Sequence, residues 1–249
     1  MRNLLITTVG SYNHIDKWIA GDCNFDIALI DYTDKGTISP EIQSRCVYYT
    51  NFQTFKYPGL YKVFKEHPES LNYDYYWMPD EDINLQTSEI NRLFEKMSQY
   101  RLDLACPSIE ESTVSFPSWR CFIHDRRAPR EIIYINYIEV MCPAFSKNGL
   151  NKCLDTFWHS QSGWGIDLAW PKLINNGLSL LQGGFRNIAI INSIIAQHTR
   201  QPNVNLPSIR GPLYEALFKK GINPNDELGA MMQLYKIPAP IRNPVKRYL

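Results

Sequence analysis

Short apolar runs that alternate with helix-period segments set the strongest limit on how this chain folds. Residues 3–9 (Asn-Leu-Leu-Ile-Thr-Thr-Val) are apolar and β-branched, too few for a helix, and end at Gly10-Ser11, which is the pattern of a buried strand. Residues 25–31 repeat it ahead of the turn-rich Tyr32-Thr33-Asp34-Lys35-Gly36. Pro58 introduces a short helix over residues 59–66, stopped by His67-Pro68. Residues 73–78 form a third strand, dense in aromatics. Thr87 and Ser88 offer caps for a helix in which Ile90, Leu93, Phe94 and Met97 share one face, and residues 102–106 make the next strand. Strand, helix, strand in this order is the rhythm of parallel pairs with helices on the faces of the sheet.

The second half keeps the alternation. A strand is expected over residues 132–141. A Ser146-capped helix follows, carrying Leu150, Cys153, Leu154 and Phe157, then a helix over residues 166–175 closed by Gly177 and a strand over residues 187–196. Pro212 and Gly221 bracket a last helix. The middle, residues 110–130, is polar and irregular. The expected fold is therefore α/β, a mostly parallel central sheet flanked by helices. A length of 249 residues suits a single large domain of that kind.

Bulk properties narrow the functional classes. A formal net charge of +1 provides no field for polyanions, so nucleic acid is not an expected partner. The six cysteines form no C-x-x-C pair, which argues against a zinc cage and against a disulfide-stapled domain. The apolar run at the start is too short for a signal sequence, and residues 188–196 are interrupted by Asn192 and Ser193. No transmembrane segment and a cytoplasmic location are the corresponding expectations. The chain also lacks the H-E-x-x-H, G-x-S-x-G, P-loop and G-x-G-x-x-G motifs.

The sharpest chemical feature is Asp80-Glu81-Asp82, just past an aromatic strand that holds Tyr73, Tyr75, Tyr76 and Trp77. Carboxylates one residue apart can point to the same side of the backbone, and ligand sites in open α/β sheets lie outside the strands' carboxyl ends. A D-x-D alone is common in surface turns; this one emerges from core sequence. Mg²⁺ or Mn²⁺ takes oxygen ligands, usually one or two carboxylates plus substrate phosphates. A second feature is Ser162-Gly163-Trp164-Gly165-Ile166-Asp167, a glycine-flanked tryptophan with a carboxylate in the first turn of the next helix. That carboxylate either complements the helix dipole or acts as a general base, with Trp164 as an apolar wall. The third is His198, late in the chain, a structural histidine or an additional Mn²⁺ ligand.

In this order, these three features resemble the glycosyltransferase A plan. Residues 73–83, the run Ile138-Glu139-Val140-Met141-Cys142-Pro143-Ala144-Phe145-Ser146, and residues 163–167 resemble more closely an uncharacterised glycosyltransferase-like family, named lysine-ketoglutarate-reductase trans-splicing-related proteins. The resemblance covers about residues 1–205, which would be the catalytic domain; residues 206–249 would be a C-terminal helical extension packed on it. It implies a transferase that moves a sugar from a nucleotide-sugar donor to a carbohydrate or other hydroxyl acceptor with Mn²⁺ or Mg²⁺. Asp82 would bind the cation, Asp80 the cation or the ribose, and His198 would be a further ligand. Asp167 would be the base, which favours inversion, and Glu139 a second carboxylate candidate. Asp31 stands where such folds hold the nucleoside, and Lys56 would meet phosphate or base. A nucleotidyltransferase on a similar sheet and a non-catalytic nucleotide- or sugar-binding protein are the alternatives; the lack of a glycine- and basic-rich loop at residues 7–11 counts against the former.

Overall fold

The computed structural model describes residues 1–114, 117–127, 130–176, 186–199, 217, 219–237 and 246–247. β1 (Asn3–Val9) is buried at every position. It lies between two parallel neighbours, β2 (Asp26–Asp31) and β4 (Tyr75–Trp77), and β3 (Tyr48–Asn51) extends the parallel set beyond β2. β6 (Leu104–Ile109) pairs in parallel with β9 (Ile188–His198). Between these two parallel groups lies β8 (Ala144–Ser146), antiparallel to both β4 and β6. β7 (Ile132–Ile135) and β10 (Lys246–Arg247) extend the far edge with antiparallel pairings, and β5 (Ile83–Asn84) pairs antiparallel with the end of β9. The path is β10-β7-β9-β6-β8-β4-β1-β2-β3.

Helices cover the faces: α1 (Ile15–Trp18), α2 (Pro40–Arg45), α3 (Lys56–Glu66), α4 (Thr87–Gln99), α5 (Lys147–Cys153), α6 (Thr156–His159), α7 (Ile166–Ile174) and α8 (Pro224–Leu234). Trp18, Trp77 and Trp170 are fully buried. Trp18 meets Trp77 edge-on at 5.8 Å, while Trp170 closes a ring cluster with Tyr57, Phe145 and Phe157. These aromatic contacts bind α3, α6 and α7 to the sheet, and the cluster includes the first turn of α3.

Several boundaries differ from expectation for local physical reasons. α3 begins at Lys56 rather than at residue 59; Pro58 then falls in the first turn, where a missing N–H costs nothing. α4 is capped by Gln86, not Thr87 or Ser88. Glu89 Oε2 accepts from Gln86 N at 3.2 Å, and Thr87 Oγ1 donates to Lys17 O at 3.0 Å instead of capping. The expected strand over 132–141 stops at Ile135, because the chain leaves the ladder and runs as irregular backbone back to β8. Ser146 does cap α5, accepting from Gly149 N at 3.0 Å, but Phe157 belongs to the separate short helix α6. The Gly177 stop and most of the expected 212–221 helix lie outside the described residues.

Candidate active site

The chain past β4 is held by paired backbone before it turns. Met78 N donates to Pro143 O at 2.9 Å, Asp80 N to Met141 O at 2.5 Å, and Thr7 Oγ1 to Pro79 O. The three acids that follow then separate. Asp80 meets Lys56 at the start of α3: Nζ donates to Oδ1 at 2.7 Å and also lies 2.9 Å from Val140 O and 3.2 Å from Met141 O. Glu81 turns toward the β1 and β2 loops, accepting from Gly10 N and, at 2.6 Å, from Tyr32 OH. Asp82 reaches the end of β9, where Thr199 N and Oγ1 donate to its carbonyl at 3.0 and 2.9 Å. The register Ile83↔His198 follows from that anchoring and brings Asp82 Oδ2 to 3.5 Å from His198 Nε2, with the two residues 8% and 6% exposed.

Two more carboxylates, Glu139 and Asp167, lie close enough to Asp80 to feel its charge or each other's. Glu139 Oε2 accepts from Met141 N at 2.7 Å. Burial, reinforced by the charges of Asp167 and Asp80, pushes the Glu139 carboxyl up to about 8. Asp167 Oδ2 accepts from Tyr137 OH at 2.6 Å and Oδ1 from Leu168 N at 2.9 Å. Burial raises it to about 6 against the opposing pull of those hydrogen bonds. Tyr57 and Tyr137 enclose the pair, and burial together with the nearby acids drives both phenols well above their ordinary range. Tyr57 OH donates to Val140 O at 2.7 Å, so the irregular 136–143 segment is fixed to α3.

No protein-family model matches the chain, and neither does any curated protein. Solved structures similar to it include three of S. aureus TarS. One, of residues 1–349, matches with a TM-score of 0.50 and 8% identity over 79% of this chain and 59% of that one. A longer TarS structure matches at 0.52 and 10%, over 82% of this chain and 38% of the other. TarS 1–349 in complex with UDP-GlcNAc matches at 0.54 and 8%, over 94% and 65%. The chain has a glycosyltransferase A-like fold. It spans less than two thirds of each TarS chain. Within the described residues, no helix is long and apolar enough to cross a membrane.

On this glycosyltransferase A-like fold, the residues singled out by sequence divide into three groups. Asp80 with Lys56, and Asp82 with His198, form two contacting pairs at the carboxyl end of β4. Among the described residues, no three or more His, Cys, Asp or Glu side chains are grouped closely enough to hold a metal ion, so Asp80, Asp82 and His198 do not form a ready three-ligand cage. Asp167 and Glu139 interact with each other and, through Glu139, with Asp80. Asp31, expected to meet the nucleoside, has its carboxylate oxygens engaged by the turn after β2. It is 0% exposed, Thr33 N and Oγ1 donate to its Oδ1 at 2.9 and 2.6 Å, and Thr37 N and Ile38 N donate to Oδ2 at 2.5 and 3.3 Å. Burial alone would raise this carboxyl, but those donors outweigh it and hold it below the usual range. Asp31 builds the turn after β2.

Trp164 is half-buried between Gly163 and Gly165, at φ +80° and +86°. Both glycines are required there, because L side chains rarely adopt that backbone region. Tyr57 and Tyr137 carry no sequence signal of their own: Tyr137 stands two residues before Glu139, an alternation shared with any ordinary strand.

Proposed function

We propose that the protein is a glycosyltransferase, moving a sugar from a nucleotide-sugar donor to a hydroxyl acceptor with the help of Mn²⁺ or Mg²⁺. The observation that carries this reading is the meeting, near the carboxyl end of β4 in a glycosyltransferase A-like fold, of a cation-compatible pair (Asp82, His198), the Asp80–Lys56 pair and a buried base candidate (Asp167). The UDP-GlcNAc bound by one TarS structure makes a uridine nucleotide the first donor to test.

The donor set fits the cation. Two ligands each at about 2.1 Å from one ion lie roughly 3 to 4 Å apart, and Asp82 Oδ2 and His198 Nε2 are separated by 3.5 Å. Asp82 and His198 would hold it, and substrate phosphates would supply further oxygen ligands. Bound there, the cation would neutralise charge on the departing nucleoside diphosphate. Lys56, with Nζ already 2.7 Å from Asp80, supplies a second positive charge to the same group.

On the acceptor side the environments of buried Asp167 and half-buried Glu139 assign their roles. At neutral pH, Glu139, at about 8, holds a proton, while Asp167, at about 6, is ionised and more basic than an exposed aspartate. Asp167 therefore takes the acceptor hydroxyl proton as the new acceptor O–C1 bond forms and the C1–O bond to the diphosphate breaks. Tyr137, donating to Asp167 Oδ2, holds that carboxylate in place. Attack from the base's side, opposite the leaving group, gives inversion. The motif resemblance to the lysine-ketoglutarate-reductase trans-splicing-related family accords with transferase chemistry, and the sequence carries no G-x-G-x-x-G dinucleotide fingerprint.

The test is thermal unfolding with UDP and Mn²⁺, added singly and together. Folded-state binding stabilises by about 2.7 kcal/mol at a hundredfold excess over Kd. The shift is expected only with both ligands present and is lost in Asp82→Asn. The absence of a shift with any nucleoside diphosphate would remove the reading's support. Product analysis separates nucleoside diphosphate, from glycosyl transfer, from pyrophosphate, from nucleotidyl transfer.

A further inference from the structure

The loop that leads into Asp167 is held by a helix near the other end of the chain. Gln161 N donates to Glu227 Oε1 at 2.7 Å and Ser162 N to Glu227 Oε2 at 2.8 Å. Ser160 Oγ lies 3.2 Å from both Glu227 Oε2 and Trp164 O. Ser162 Oγ accepts from Trp164 N at 3.1 Å. One carboxylate of α8 thus gathers consecutive donors of the turn that presents Trp164 and opens α7. Charge-assisted bonds of this kind are about twice as strong as neutral ones. The backbone approach is equally close: a Cβ on Gly165 would stand 2.9 Å from Met231 Cβ. At the far end of α7, Lys172 Nζ donates to Tyr235 O and Lys236 O, both at 2.8 Å. α8 is therefore fastened to both ends of the helix whose first turn carries Asp167.

We propose that Glu227 is a positioning residue for the acceptor half of the site: its carboxylate sets the turn that aims Trp164 and Asp167. This rests on the transferase reading above. The carboxylate touches no reacting atom; it acts through the Ser160–Gly165 backbone. Without it two adjacent amides lose their acceptor, and the turn relaxes to find another. A misplacement of about 1 Å at a reacting group can cost on the order of a hundredfold in rate. The donor half, which is fastened by Thr199 and Lys56, does not depend on α8.

The experiment compares full-length wild type with Glu227→Ala, the milder Glu227→Gln, and the control Tyr235→Phe, which removes only the 2.9 Å contact of Tyr235 OH with His159 Nδ1. Three quantities are measured: amide exchange across residues 160–168 and 75–84, the melting shift given by UDP with Mn²⁺, and UDP release from UDP-GlcNAc with Mn²⁺. Both Glu227 variants are expected to exchange faster at residues 160–165 by about tenfold or more. They are expected to release UDP about ten- to a hundredfold more slowly. Exchange at 75–84 and the UDP–Mn²⁺ shift should match wild type, as should all three readouts in Tyr235→Phe. Unchanged exchange at 160–165 overturns the clamp. UDP release that falls only with the folded fraction, or a UDP–Mn²⁺ shift that falls alongside it, reduces Glu227 to a stabilising contact and overturns the positioning role. Wild type that releases no UDP from UDP-GlcNAc or any other UDP-sugar sinks the transferase reading and the catalytic consequence of the clamp with it, whereas the exchange result stands apart from that failure.

Discussion

Replacing Glu139 by glutamine should flatten the pH dependence of stability above neutrality. Burial and the charges of Asp167 and Asp80 raise the Glu139 carboxyl from 4.5 to about 8. Between those two values the folded chain keeps a proton that the unfolded chain has released. The stabilisation is complete below the unfolded value and is lost as pH rises through the folded one. For a single group with those two constants, the loss between about pH 6.5 and 8.5 is roughly 2 kcal/mol.

The window is chosen so that other perturbed groups contribute little. Asp167 shifts the same way but only to about 6, so its contribution is spent below the window. His14, lowered by burial and by Lys17, acts with the opposite sign, raising stability with pH at the lower edge of the window. Cys46, raised by burial to about 11, acts above it. Urea unfolding followed by tryptophan fluorescence, in chelating buffer at several pH values, yields the stability at each. Wild type should lose about 2 kcal/mol across the window and Glu139→Gln less than about half of one. A wild-type curve that is flat there, or a glutamine variant that keeps the wild-type slope, would refute the assignment of a protonated Glu139 beside an ionised Asp167.

Two other substitutions probe the same site. Asp167→Asn should cut UDP release about 10²- to 10⁴-fold, the usual worth of a general base, while leaving the UDP–Mn²⁺ melting shift in place. Gly165→Ala should destabilise by about 2 kcal/mol or more, read from urea midpoints, because it forces a side chain into the left-handed region at φ +86° and against Met231.

What the sequence made legible followed how locally each feature is determined. β1 was read to its observed limits because seven buried residues end at Gly10, so burial and turn chemistry mark the same boundary. β8 was missed: three residues are too few to show a period, and their antiparallel place between β4 and β6 is decided by pairing with distant strands. The 136–143 segment has strand-like composition, yet Met141 and Pro143 use their carbonyls on residues 78–80, outside any regular ladder. Asp31 is the converse case, since its position at a strand end was plain but its oxygens were taken by Thr33, Thr37 and Ile38.

The same distinction explains why the acids of Asp80-Glu81-Asp82 were legible as a group and not as individuals. Residue type and position after a core strand are local facts. Whether each carboxylate meets Lys56, Tyr32 or His198 depends on where α3, β2 and β9 end in space. Glu227 was the hardest of all to see, because a local rule already accounts for it: an acid in the first turn of a helix suits the helix dipole. Its partners stand 65 and 66 positions away along the chain, so nothing in its own neighbourhood asks for a second role. A residue that satisfies a local preference and a distant contact at once is invisible to sequence reasoning for that reason. Amide exchange at residues 160–165 in Glu227→Gln separates the two, because the helix-dipole role predicts no change in that distant turn.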